Sequence, residues 1–183
     1  SVYIEKALRG IRHELPRYSG RYLVEDFDEE ETETIVSRLK KVFGIHSMSV
    51  AFETGSDLDS IFEAAKKVSG KDGSFKVETH RGDKKYPLTS IEISREIGGR
   101  LLAHFKTLTV DVRNPSFYVY VDIRENGTAL VFGEFFEGAN GMPVGTAGKG
   151  LLLISGGIDS PVAGHMMAKR GMTVECLHFH SYP

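Results

Sequence analysis

Apolar residues at Val2, Ile4, Leu8, Ile11 and Leu15 recur at near-helical spacing, which predicts a helix over residues 2–15 that Pro16 and Gly20 bring to an end. Residues 21–24 are a short strand candidate. The acidic run 26–33 leads into a second helix with Ile35, Leu39 and Phe43 on one side, closed by Gly44. Residues 47–52 read as a strand and residues 57–68 as a helix whose inner side carries Leu58, Ile61, Phe62, Ala65 and Val68. After a turn at 70–73, Phe75, Val77 and Thr79 alternate with Lys76, Glu78 and His80, the period of a half-exposed strand.

A polar loop, 81–87, follows. Thr89 and Glu92 then have the spacing of a capping box, in which the threonine accepts from a free helix amide and the glutamate reaches back. Ile93, Ile97, Leu101 and Phe105 make one apolar stripe behind it. Residues 108–112, 117–123 and 129–132 are strand candidates separated by Asn114-Pro115 and Asn126-Gly127 turns. The glycine-rich stretch 138–150, with Gly141-Met142-Pro143-Val144-Gly145-Thr146, has the composition of a domain linker, so the main boundary is placed there.

Beyond it Leu151-Leu152-Leu153-Ile154 is wholly apolar, as in a parallel strand buried on both faces. A glycine turn and a helix follow. Pro161 is placed at the first helical position, Lys169 and Arg170 in the last turn and Gly171 just past it. Residues 173–179 form the returning strand, which makes 151–179 one beta-alpha-beta unit.

With 183 residues, 40% hydrophobic and 26% charged, the chain has a globular rather than disordered composition and room for one domain or two small ones. No apolar run approaches the roughly 18 residues of a membrane helix, and the N-terminus lacks the order of a signal peptide. A cytoplasmic setting without a membrane partner is the expectation. The single cysteine, Cys176, can form no internal disulfide, and no Cys-x-x-Cys pair offers a zinc site, so burial has to hold the fold. Cys176 lies within an apolar strand pattern and reads as a small buried hydrophobe rather than a sulfur carrier. The net charge of -2 is uneven: residues 76–100 carry six bases against four acids, +2, which leaves -4 for the rest.

The chemistry concentrates at Ser155-Gly156-Gly157-Ile158-Asp159-Ser160. Two glycines between a buried strand and a helix let backbone approach a ligand, and the helix start offers unpaired amides and a positive dipole end. Such a site suits an anion. Ser155 and Ser160 add hydroxyls, and Asp159 is a carboxylate placed to hold a magnesium ion shared with phosphate oxygens. The Gly-x-x-x-x-Gly-Lys-Ser/Thr and Gly-x-Gly-x-x-Gly patterns are both absent.

The run Ser-Gly-Gly-Ile-Asp-Ser after an apolar strand resembles the signature of the PP-loop ATP pyrophosphatases. That likeness implies an ATP-dependent, AMP-forming enzyme in which a carbonyl oxygen is adenylated and fixed dipoles stabilise the departing pyrophosphate. Asp159 and Ser160 would be its catalytic residues. The loop alone leaves glutamine-dependent synthetases, lysidine synthesis and tRNA thiolation open. The order of the upstream elements, the basic loop and Gly-Met-Pro-Val-Gly-Thr resemble tRNA 4-thiouridine synthetase, as do Lys169-Arg170-Gly171 and Leu177-His178-Phe179-His180.

The resemblance implies an α/β and α+β chain: a partial ferredoxin-like domain over 1–43, a THUMP RNA-binding domain over 44–137, a linker over 138–150 and the start of a Rossmann-like PP-loop domain over 151–183. It implies that ATP with magnesium adenylates uridine 8 of tRNA, that a persulfide from a cysteine desulfurase delivers sulfur, and that the family also supplies sulfur for thiamine and forms homodimers. Leu153, Ile154, Ser155, Gly156, Gly157, Asp159, Ser160, His178 and Phe179 would border ATP. Arg81, Lys84, Lys85, Arg95, Arg100 and Arg113 are the phosphate-contact candidates on the RNA side. Arg100 lies four residues after Glu96 and can instead pair with it. The family's initial strand is missing from the start, the passage at Gly20 to Arg21 is short, and the catalytic cysteine is expected beyond Pro183, so that this stretch alone would not turn over. A tRNA-binding module that binds nucleotide without chemistry, and a PP-loop amide synthetase, are the alternatives.

Overall fold

A computed structural model describes residues 2–18, 21–70 and 72–180. Gly20, one of the predicted helix-ending residues, and Lys71, in the predicted turn at 70–73, lie outside these. The chain divides into two compact units: Ser1–Met48 with Phe136–Pro183, and Ser49–Phe135.

The first unit begins with α1 (Val2–Ala7). The helix is shorter than the predicted 2–15 because the backbone turns off through Gly10 at φ +88°. Leu8 and Ile11 nevertheless stay buried, so the apolar period continues through irregular backbone. β1 (Arg17–Tyr18) and β2 (Arg21–Tyr22) pair antiparallel, and β2 is half the predicted strand. A 3-10 turn at Glu29–Glu31 leads into α2 (Thr32–Leu39), whose Ile35 and Leu39 pack on Leu8 and Ile11 as a small core. β3 (Ser47–Met48) follows.

The second unit is a mixed five-stranded sheet with two helices. Its elements are β4 (Ala51–Gly55), α3 (Leu58–Val68), β5 (Gly73–Arg81), α4 (Ser90–His104), β6 (Leu108–Val110), β7 (Phe117–Ile123) and β8 (Thr128–Phe132). The predicted strand 47–52 is thus split between β3 and β4. The sheet order is β4-β8-β7-β5-β6, with β5 parallel to β6 and β7, and β8 antiparallel to β7 and β4. Asp57 caps α3 by accepting from the Ser60 amide at 2.8 Å.

Thr89 and Glu92 form the predicted capping box on α4: Glu92 Oε2 accepts from the Thr89 amide at 2.7 Å. Ile93, Ile97 and Leu101 of the α4 stripe are fully buried, as are Ile61 and Ala65 of α3. They face Phe75 of β5, Val119 and Ile123 of β7 and Val131 of β8, all at 0% exposure. Each of these Ile, Leu, Val and Phe side chains contributes about 1.5–3 kcal/mol of burial. The other sheet face carries Lys76, Tyr118, Tyr120 and Phe132, whose rings stack 5.2–5.4 Å apart from Tyr118 to Tyr120 and on to Phe132.

The first unit resumes with β9 (Phe136–Glu137), antiparallel to β3. β10 (Lys149–Leu153), α5 (Asp159–Lys169) and β11 (Thr173–Leu177) form the predicted beta-alpha-beta unit, with β10 and β11 parallel in register from Lys149↔Thr173 to Leu153↔Leu177. Three details differ. Leu151 and Leu153 are 64% and 59% exposed, so β10 is covered on one side only, where Leu152 meets α5 at Gly164. Pro161 is the third helical residue rather than the first, a place where its missing N–H still costs no helix bond. The returning strand ends at Leu177, and Cys176 on it is exposed rather than buried. Gly171, at φ +92°, closes α5 as predicted, with the Met172 amide reaching Met167 O at 3.1 Å.

Candidate functional site

The loop 154–158 joins the end of β10 to the start of α5 and is held from both sides. The Ile154 amide donates to Leu177 O at 2.9 Å, and His178 Nδ1 lies 2.9 Å from Ile154 O. A carbonyl oxygen only accepts, so Nδ1 is the donor in this contact. Within the loop the Ser155 amide donates to Ser160 Oγ at 3.2 Å and the Gly157 amide to Ser155 Oγ at 3.5 Å. Both serine hydroxyls are thereby aimed at the turn.

Gly156 and Gly157 have no positive φ, and no packing inside the described residues demands them. A Cβ at Gly156 would meet nothing within 4 Å, and one at Gly157 only Ser155 Oγ at 3.7 Å. The bare backbone leaves open room beside the first amides of α5, at Asp159 and Ser160, which have no intrahelical acceptor. That room and those donors fit a phosphate chain. Asp159, in the first turn of α5, is exposed. Among the described residues no cluster of three metal-ligating side chains exists, so Asp159 could hold a cation only together with phosphate oxygens and water, the usual arrangement for magnesium. Leu153, His178 and Phe179 lie exposed at the same strand ends, with Ile154 half-buried between.

The six predicted RNA contacts fall into two groups. Arg81 Nη1 donates to Tyr86 O and Leu88 O, both at 2.9 Å, and so ties down the loop 81–87. Arg100 Nε meets Glu96 Oε1 at 2.8 Å and Nη1 meets Asp59 Oδ1 at 2.6 Å, which raises its pKa through the Glu96 and then the Asp59 hydrogen bond. The predicted Glu96 pairing is therefore made, and these two arginines are already engaged. Among the described residues Lys84, Lys85, Arg95 and Arg113 have no ion-pair partner; Lys84, Lys85 and Arg113 lie on turns, and Arg95 lies on α4. Arg95 lines a cleft of about 550 Å³ between α4, β5 and β6, walled by Ile91, Leu102, Val110 and Val112. Sequence reasoning missed this cleft. Its signal was Gly98-Gly99 inside a helical stripe: Gly98 rests against Val77, while nothing lies within 4 Å of a Cβ at Gly99.

Two family models match the chain, the THUMP domain over residues 55–132 and Thiamine biosynthesis protein (ThiI) over residues 145–183. The probable tRNA sulfurtransferase of Thermoanaerobacter pseudethanolicus is 45% identical over 194 residues, covering 100% of this chain and 50% of the relative. The chain belongs to the tRNA sulfurtransferase family. The corresponding protein of Alkaliphilus oremlandii is 43% identical across 98% of the chain and 49% of its own length. The chain thus spans about half the length of these relatives. A 4-thiouridine synthetase solved as an RNA complex with bound ATP superposes at a TM-score of 0.81, with 38% identity, over 98% of this chain and 48% of that one. A Pyrococcus horikoshii protein gives 0.84 with 28% identity, over 96% and 61%. No described helix is long and apolar enough to cross a membrane.

Proposed function

We propose that this chain is the RNA-presenting and phosphate-gripping part of an ATP-dependent tRNA sulfurtransferase that adenylates uridine 8 for conversion to 4-thiouridine. The observation that carries the reading is the loop 155–160: two glycines that neither backbone nor packing requires, beside free helix amides, in a family named for tRNA sulfur transfer. ATP supplies the AMP that turns the uridine O4 into a leaving group, with pyrophosphate released; the terminal sulfur of a persulfide charged by a cysteine desulfurase displaces AMP, and a second thiol then cleaves the S–S bond, which frees 4-thiouridine and leaves a disulfide for an external thiol to reduce. Gly156 and Gly157 admit the phosphates, the amides of Asp159 and Ser160 face their charge, and Ser155 and Ser160 add hydroxyl donors. Asp159 is the proposed magnesium ligand. Leu153, Ile154, His178 and Phe179 border the nucleoside, at the carboxyl ends of adjacent parallel strands.

Lys84, Lys85, Arg95 and Arg113 are the proposed phosphate contacts in the RNA half, with the Arg95 cleft as a path for unpaired nucleotides. The test is pyrophosphate release by the full-length parent protein, with and without unmodified tRNA. Release that depends on tRNA supports thiolation, whereas release indifferent to tRNA refutes it. Asp159→Ala should abolish release while leaving tRNA affinity within about two-fold; retained release would remove Asp159 from its metal role.

A further inference from the structure

The stretch 138–148 has a linker's composition but the contacts of a strap. At one end it continues the β3–β9 ladder: the Gly138 amide donates to His46 O, the Asn140 amide to Ile45 O and the Gly44 amide to Asn140 O, each at 2.9 Å. At the other it crosses the C-terminal end of α5. The Met142 amide donates to Lys169 O at 2.9 Å, and the amides of Gly145 and Ala147 both reach Gly171 O, at 2.8 and 3.0 Å. Phe43 adds a direct link by meeting the His165 ring of α5 edge-on, centroids 5.1 Å apart.

Asn140 stands where the strap turns from one partner to the other. Its φ is +57°, a left-handed conformation that asparagine tolerates better than most residues. Its side chain is used fully: Oδ1 accepts from His46 Nδ1 at 2.7 Å, and Nδ2 donates to Glu137 Oε1 at 3.1 Å and Gly138 O at 3.2 Å. The next residue, Gly141, has φ +78°, and a Cβ there would strike the Lys169 carbonyl. The strap is therefore in backbone contact with α5 one residue after Asn140.

α5 has 11 residues, so its first turn, with Asp159 and Ser160, lies about 16 Å from the strapped end. A tilt of about 5° about that end would move the loop by about 1.4 Å, and displacements near 1 Å can cost about 100-fold where reacting groups must align. We propose that Asn140 is a positioning residue, whose bond to His46 locks the strap joining residues 44–46 to α5 and so sets where the phosphate loop stands. This rests on reading 155–160 as the ATP site.

The experiment measures ATP affinity by calorimetry, tRNA affinity by anisotropy and pyrophosphate release, on the protein and on Asn140→Ala, His46→Ala and His46→Asn. His46→Ala removes the same bond without placing a new side chain at positive φ, so it answers even where Asn140→Ala does not fold. Both alanine variants should weaken ATP binding at least about ten-fold with tRNA affinity unchanged. His46→Asn leaves Asn140 with its bonds to Glu137 and Gly138, offers an amide N–H near the place of Nδ1 and should recover most of the loss. ATP affinity within about two-fold of the parent in His46→Ala, or equal losses in His46→Asn and His46→Ala, overturns the proposal. Failure of the unsubstituted protein to bind ATP at all would instead overturn the reading of the loop.

Discussion

The division of the six basic candidates into engaged and unengaged groups makes a quantitative forecast for RNA binding. Each lysine or arginine that neutralises a phosphate contributes about 0.9 to the slope of log K against log salt on duplex and about 0.7 on single strands. Lys84 and Lys85 are exposed and have no ion-pair partner among the described residues. Replacing both with alanine should therefore make the slope shallower by about 1.4–1.8. Between about 50 and 200 mM KCl, a four-fold range, that difference alters the ratio of parent to variant affinity by about seven- to twelve-fold. Arg100 is held by Glu96 and Asp59, and Arg81 by two carbonyls. Either alanine variant should leave the slope within about half a unit of the parent. Fluorescence anisotropy of labelled, unmodified tRNA at four or five salt concentrations reads all four slopes. A double lysine variant with the parent's slope, or an Arg100→Ala variant that loses a full contact, would refute the division.

Two stability outcomes follow from the same unit. The Thr89 amide, then the Thr89 hydroxyl and the charges of Arg81 and Arg95, hold the Glu92 carboxyl below its usual pKa. Its contribution is fully present above the unfolded-state value of about 4.3 and is lost as pH falls through the lower folded-state value. Urea midpoints of Glu92→Gln should accordingly lie below the parent's at pH 6 and converge with them in acid; a pH-independent gap would contradict the linkage. Leu101, fully buried at the end of the α4 stripe, should cost about 2–5 kcal/mol when replaced by alanine, read from urea unfolding; a cost under about 1 kcal/mol would mean that the cavity collapses.

α3, β5, α4, β7 and β8 follow the pattern because each packs one face on a single core, so the period of apolar residues and the burial coincide. The N-terminal helix is shorter than its pattern for the opposite reason: Leu8 and Ile11 keep helical spacing and stay buried although the helix ends at Ala7 and the backbone turns away through the positive φ of Gly10. Composition alone predicts β10 buried on both faces, since four apolar residues in a row cannot reveal which side is covered. The misreading of Cys176 is a consequence, as its strand pairs with β10 in the same two-stranded sheet. Charge was visible and its use was not. Glu96 is four residues from Arg100 and could be foreseen, whereas Asp59 lies 41 residues away.

The same distinction separates the loop from the strap. The proposed phosphate-binding parts are contiguous, a strand end, two glycines and a helix start, so their spacing in the chain is their spacing in the fold. His46 and Asn140 are 94 residues apart, and nothing local at either position announces the bond between them. Glycines in 138–148 look alike in composition yet act differently. Gly138 and Gly141 sit where a side chain would collide with the backbone of Ile45 and Lys169, while Gly148 meets nothing. A glycine-rich stretch is flexible only where its glycines face open space; where they face backbone, the absence of a side chain is what allows two segments to lock. By that criterion residues 138–141 are a joint under constraint, and the position of Asp159 depends on a contact made at the far end of its helix.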